Sequence, residues 1–218
     1  MTLALDHLVV GAATLHQGRE WARETLGVVP IAGGRHAFMG THNLVLRLDG
    51  PERELYLEII AIDPDAADTG RRRWFDLDDP AVQQALQVEP RLIAWVARSD
   101  GLEGDRQRLV AAGFDPGAVH AAERDTPSGT LRWRITIRED GRRLAGGAIP
   151  PLIAWGTPSP AGSLPPSGLS LERLVVRGIA ADVGAVLGEA ATVLDEASLP
   201  TLEVTLRRAS HRIDLQAA

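Results

Sequence analysis

Residues 3–10 form a short apolar run rich in β-branched side chains, which is the pattern of a strand. Thr14 then offers a helix N-cap, residues 15–26 carry apolar side chains at helical spacing, and Gly27 supplies a stop. Residues 36–39 read as a weak strand, with Gly40-Thr41 as a turn. From 43 to 48 the chain alternates: Leu44, Leu46 and Leu48 share one side, and Asn43, Val45 and Arg47 the other. Asp49-Gly50-Pro51 is a turn signal, and residues 55–62 form a strongly apolar strand that Asp63-Pro64 ends. The order is β-α-β-β-β.

After a polar connector the order recurs. Residues 91–97 read as a strand, 102–112 as an amphipathic helix stopped by Gly113, 131–137 as an alternating strand and 152–155 as a short one. Residues 157–168 are dense in Pro, Ser and Gly and read as a linker. Beyond it the opening motif returns, with Leu171-Glu172-Arg173-Leu174-Val175-Val176 matching Leu5-Asp6-His7-Leu8-Val9-Val10. A short helix over 182–189 and strands over 193–195, 202–207 and 212–215 follow, and Ile213-Asp214-Leu215 parallels Leu57-Glu58-Ile59. The expectation is one α+β domain of repeated β-α-β-β-β modules over 1–64, 90–156 and 169–218, forming curled mixed sheets around a central cleft. Gly33-Gly34 and Gly146-Gly147 read as simple turns.

Composition narrows the chemistry. The 218 residues are 44% hydrophobic and 24% charged, within the range of a folded globular chain. There is no Cys, so disulfides, thiolate metal sites and a cysteine nucleophile are excluded. There is also no Lys, which excludes Schiff-base chemistry and a P-loop lysine. A net charge of −6 argues against nucleic acid as a partner. No apolar stretch is long enough to span a bilayer and the start of the chain lacks a signal-peptide pattern, so a cytoplasmic location is expected. No G-x-S-x-G, G-x-G-x-x-G, Walker or H-E-x-x-H signature is present.

Leu5-Asp6-His7-Leu8-Val9, a helix ending near Leu26-Gly27, and Leu55-Tyr56-Leu57-Glu58-Ile59-Ile60 together resemble the vicinal oxygen chelate superfamily. This superfamily includes glyoxalase I, extradiol dioxygenases, fosfomycin-resistance enzymes and bleomycin-binding proteins. Met39-Gly40-Thr41-His42-Asn43 and Ile60-Ala61-Ile62-Asp63-Pro64 resemble its glyoxalase-like domain group more closely. The resemblance implies paired modules forming a cleft, in which a His of the first strand and a Glu of the fourth bind one divalent metal. His7 and Glu58 stand at those positions, and Glu58 is also the candidate catalytic carboxylate. Fe, Mn, Ni or Zn would suit an imidazole and a carboxylate with open positions, and a degenerate site would hold none. Relatives often complete a barrel by dimerising, so a homodimer is one expectation and a self-sufficient chain the other.

The residues themselves agree on the facing. Alternation puts Leu5, His7 and Val9 on one side of the first strand, and Tyr56, Glu58 and Ile60 on one side of the fourth. The middle module offers only Ala94 or Trp95 and Ala154 or Trp155 at the equivalent positions, and none of these ligates. The last module offers Arg173 and Asp214, so Arg173 would take the place of a metal charge if that module faced the first. His42, opening the third strand, would complete a His7, His42, Glu58 ligand set. Asn43, Trp95, Arg134, Trp155 and Arg173 are the candidate substrate contacts. Trp95, Trp133 and Trp155 could floor the cleft or fill a core, and Arg134 could clamp a carboxylate or phosphate. His16, His36, His120 and His211 are expected at the surface. Three functions compete: a metal-dependent lyase, isomerase or ring-cleaving dioxygenase; a metal-free binding protein of the bleomycin-resistance type; and a degenerate domain kept for a partner chain.

Overall fold

A computed structural model describes residues 3–50, 55–126, 129–194 and 199–217. Pro51 of the expected turn and Asp195 of an expected strand lie outside the described residues. The chain runs β1 (Ala4–Gly11), α1 (Leu15–Trp21), β2 (Ile31–His36), β3 (Thr41–Leu48) and β4 (Leu55–Ile62). It continues through α2 (Pro80–Val88), β5 (Arg91–Arg98), α3 (Leu102–Ala111), β6 (Ala118–Thr126), β7 (Gly129–Ile137) and β8 (Leu152–Trp155). The last elements are β9 (Leu169–Arg177), α4 (Ala181–Leu187), β10 (Thr192–Leu194), β11 (Thr201–Arg208) and β12 (His211–Gln216).

The first helix starts where Thr14 accepts the Gln17 backbone N–H and Gln17 reaches back to the Ala13 N–H, a capping arrangement. A π-helical turn over Ala22–Leu26 continues it to Gly27, whose φ of +68° closes the end.

Two β-α-β-β-β halves build one eight-stranded sheet in the order β2-β3-β4-β1-β5-β8-β7-β6. Within each half the first strand lies parallel to the fourth, and β1 and β5 join the halves antiparallel. The sheet curls until its edges approach. A Cβ on Gly34 of β2 would lie 2.2 Å from Nη1 of Arg124 on β6, so this spot is open only because residue 34 has no side chain.

The third segment builds a separate sheet, β10-β9-β11-β12. Here β11 lies between β9 and β12, unlike the 4-1 adjacency of the first two halves. Leu169, Leu174, Val176, Leu202, Val204 and Leu206 of this sheet share one core with the helices and with Leu5, Leu8, Val10, Leu57 and Ile59 of the large sheet. The concave side of the large sheet has its own core, including Val9, Ile60, Val96, Trp133 and Ile153.

Three expected elements differ. The strand expected at 36–39 is a 3-10 turn, and the strand is β2 at Ile31–His36, which carries Gly33-Gly34 across a register shift. The connector contains α2, capped by Asp79 with Pro80 at its first position. The edge strand β6 precedes the expected 131–137 strand.

Candidate functional site

The site begins with a bulge. In the β1–β5 ladder Leu5 opposes Ala97 and His7 opposes Val96, so Asp6 is the extra residue. The extra residue breaks strict alternation. Leu5 therefore joins Leu8 and Val10 in the outer core, not Val9 as simple alternation expects. It also brings two consecutive side chains together, with His7 Nδ1 2.7 Å from Asp6 Oδ1.

Asp6 is fully buried, and a buried carboxylate needs partners. Besides His7 it accepts from Arg98 Nε at 2.9 Å and from Trp155 Nε1 at 3.0 Å. The His7 ring stacks on Tyr56, with centroids 4.4 Å apart and planes 20° from parallel. Its Nε2 faces Glu58 Oε2 at 3.6 Å, an ion-pair distance beyond hydrogen-bond length. The other Glu58 oxygen accepts from Asn43 Nδ2 at 2.5 Å, and Asn43 Oδ1 accepts from the Gly34 backbone N–H at 2.7 Å. His36 approaches that same Glu58 oxygen through Nε2 at 4.0 Å, and its Nδ1 lies 3.2 Å from Thr41 Oγ1.

His7, His36, Asn43, Tyr56, Glu58 and Trp155 line a cleft on the concave side, with Asp6 outside its lining. Trp74, Phe75, Trp133, Trp155, Ile135 and Ile153 form its apolar walls, and Arg124 is the added cation. A second cavity shares Trp74, Phe75 and Ile135 but reaches none of Asp6, His7 and Glu58.

Burial alone would lower the His7 pKa, but Asp6 and Glu58 outweigh it and hold the imidazole up to about 9. Burial would raise Glu58, but the close approach and charge of His7, with help from His36 and Asn43, hold it down to about 2. Asp6 is likewise lowered against its burial, by His7 and Arg98. For His36 burial outweighs the charge of Glu58 at 4.0 Å and, with Arg124 and His7 adding to it, pushes the imidazole down to about 4. At neutral pH the cleft holds an imidazolium between two carboxylates, with a neutral imidazole beside them.

Of the residues singled out by sequence, His7, Asn43, Glu58 and Trp155 line this cleft, as does Trp133. The others lie elsewhere. His42 alternates away from Asn43 and sits 3.8 Å from Asp63, so it cannot complete the expected His7, Glu58 ligand set. Trp95 is fully buried in the outer core, where its indole N–H donates to the Ala148 carbonyl. Arg134 is at the surface, paired with Glu103 at 2.7 Å. Arg173 stands exposed on β9 opposite Thr205, and exposed Asp214 binds Thr205 and Arg212, so neither approaches Glu58. His36, expected at the surface, is buried in the cleft. Asp6, Trp74 and Arg124 were not singled out as site residues; the polar pair Asp6-His7 inside an apolar strand was the available signal for the first.

The donor set can be tested against a divalent ion. The His7–Glu58 separation suits two neighbours on one ion, since tetrahedral bonds near 2.1 Å set ligands about 3.4 Å apart. The remaining positions decide. The facing strands β5 and β8 bring Val96, Ile153 and Trp155 to the concave side, and none of these ligates. The two imidazoles address different oxygens of Glu58. Among the described residues no group of three or more His, Asp or Glu is arranged to hold a metal ion. An ion would also have to displace the His7 proton. The residues do not fit a catalytic Fe, Mn, Ni or Zn centre.

A family model described as "Glyoxalase-like domain" matches residues 5–189. Among solved structures, a hypothetical protein from Staphylococcus aureus aligns with a TM-score of 0.59 at 16% identity, covering 99% of this chain and 85% of that one. That likeness is one of fold. Methylmalonyl-CoA epimerase from Mycobacterium tuberculosis aligns at 0.40 and 18% identity over 73% of this chain and 91% of that one. A mutant of 4-hydroxymandelate synthase from Streptomyces coelicolor aligns at 0.45 and 14% identity over 99% of this chain and 62% of that one. No curated protein matches the chain.

Proposed function

The chain belongs to the glyoxalase-like domain family of the vicinal oxygen chelate superfamily, and from that premise we propose that its cleft binds a small organic molecule without a metal ion. The observation that carries this reading is the Asp6–His7–Glu58 array in an aromatic-walled cleft. General acid–base catalysis works best with pKa values near the operating pH. Glu58 at about 2 and His7 at about 9 lie on either side of neutrality. At pH 7 His7 is held protonated and Glu58 ionised. Both are therefore fixed charges in the unliganded cleft and poor carriers of a proton. Fixed charges set among Trp133, Trp155 and Trp74 suit recognition: the rings supply contact area, and the ionised groups orient polar atoms of the ligand. The lyase, isomerase and dioxygenase readings need a Lewis acid, for which the donor set is incomplete.

The test combines metal analysis and probe binding on the full chain. Protein purified without chelator should hold far less than one divalent ion per chain, as should His7→Ala. Benzamide and catechol, neutral aromatic probes, should change tryptophan fluorescence saturably. Stoichiometric metal that disappears in His7→Ala would overturn the reading in favour of a metal enzyme.

A further inference from the structure

Five buried side-chain nitrogen and oxygen atoms among the described residues lack a hydrogen-bond partner: Trp74 Nε1, Arg91 Nε, Arg124 Nε, Arg124 Nη1 and Thr201 Oγ1. Three of the five belong to two cleft residues, Trp74 and Arg124, and all three are donors. A buried donor with no acceptor is costly, and such groups in a folded protein call for an explanation. The charge distribution leans the same way. Arg98 and His7 neutralise Asp6, and His7 faces Glu58 as well. Arg124 has no ion pair within 4 Å among the described residues; Glu58 acts on it only from farther away, which leaves the guanidinium without a direct counter-ion. Its position is prepared: Gly34 on the opposite sheet edge leaves open the volume that the guanidinium occupies.

We propose that Arg124 anchors an oxyanion, a carboxylate or a phosphate, of the small organic molecule bound in the cleft. This rests on the binding reading above and adds the ligand's charge to it. The guanidinium offers a planar fork of donors matched to such groups. Trp74 would supply a further N–H, and the rings of Trp133 and Trp155 would receive the apolar body. Arg124 is thus a specificity-determining residue, separating anionic from neutral ligands of the same shape.

The experiment titrates the full chain with benzoate, phenyl phosphate and benzamide by tryptophan fluorescence and calorimetry. In the wild type, benzoate or phenyl phosphate should bind ten- to a hundredfold more tightly than benzamide, the range expected for a charged hydrogen bond in a buried site. Whichever anion is preferred identifies the headgroup. Arg124→Gln should remove the preference while benzamide still binds. Gly34→Ala, which pushes a methyl into the guanidinium, should reduce it without touching the charge. Because the readout is a ratio between probes on one protein, general loosening by a variant cancels. Equal affinity for benzamide and both anions in the wild type, or a preference unchanged in Arg124→Gln, overturns the inference and leaves the binding reading intact. Failure of all three probes to bind overturns both.

Discussion

Glu58→Gln is the most informative single change, because it removes one charge from the array while keeping shape and the reach toward Asn43. The folded-state pKa of Glu58 is held down to about 2 from 4.5, and that of His7 is held up to about 9 from 6.5. Each shift corresponds to roughly 3 kcal/mol at about 1.4 kcal/mol per unit. The two shifts partly describe the same His7–Glu58 pair, so they count once for the contribution Glu58 makes. The signs set the window. A depressed carboxylate stabilises the fold above pH 4.5 and loses that contribution as pH falls toward 2. A raised imidazole stabilises below pH 6.5 and loses its contribution as pH rises toward 9. The wild type should therefore be most stable between about pH 4.5 and 6.5 as far as these groups decide it. At pH 5.5 Glu58→Gln leaves the buried imidazolium with Asp6 alone and should cost about 3 kcal/mol. For a chain of this length that is a fall in Tm of roughly 6–12 °C. Calorimetry and urea unfolding at pH 5.5 and 8.5 give the stability. NMR titration of the His7 ring gives its midpoint, which should drop in the variant. A Tm within about 2 °C of wild type at pH 5.5, together with an unmoved His7 midpoint, would refute the coupling.

Asp6→Asn should be at least as damaging, costing about 3–5 kcal/mol by urea unfolding, because both His7 and Arg98 lose a buried counter-charge. Trp155→Phe keeps most of the cleft wall but removes the N–H bonded to Asp6; a loss of about 1–3 kcal/mol is expected, and a neutral effect would mean that this bond is dispensable. His42→Ala should leave benzamide binding and the His7 midpoint unchanged, since His42 lies on the far face of β3. Addition of Zn²⁺ to the wild type should leave its Tm unmoved, whereas a saturable rise abolished by Glu58→Gln would restore the metal reading.

Which parts of this were readable from the chain follows from what sets each feature. The facing of Glu58 was readable because β4 is regular and Tyr56, Glu58 and Ile60 keep a period of two. His7 was readable as an ionisable group in an apolar strand, but Leu5 was not, because the bulge at Asp6 is a property of the β1–β5 ladder. Trp95 was ambiguous for a different reason: β5 is apolar on both faces, so alternation carries no information about which side looks into the cleft. The strand containing His36 was hidden by Gly33-Gly34, which read as a turn and instead leave room for Asn43 and Arg124. Asp79-Pro80 was a legible helix start within a segment read as connector. Arg124 had no local signal at all. It sits on a polar edge strand, and its role depends on the two sheet edges approaching, which is a tertiary event.

The bulge also explains why so much charge is gathered at one point. A regular β1 would turn Asp6 into the outer core beside Leu8 and Val10, where an ionised carboxylate could not stay. One extra residue rotates it to the concave side, where Arg98, Trp155 and His7 can all reach it. Such an array is an inefficient way to stabilise a fold, since well-packed apolar side chains commonly do as well or better than buried ion pairs. The array and its neighbours instead leave directional features open to the cleft: the 3.6 Å gap between His7 and Glu58, and beside it the unpartnered donors of Arg124 and Trp74. Charges that are costly to bury and incompletely paired with one another make physical sense where a ligand completes them.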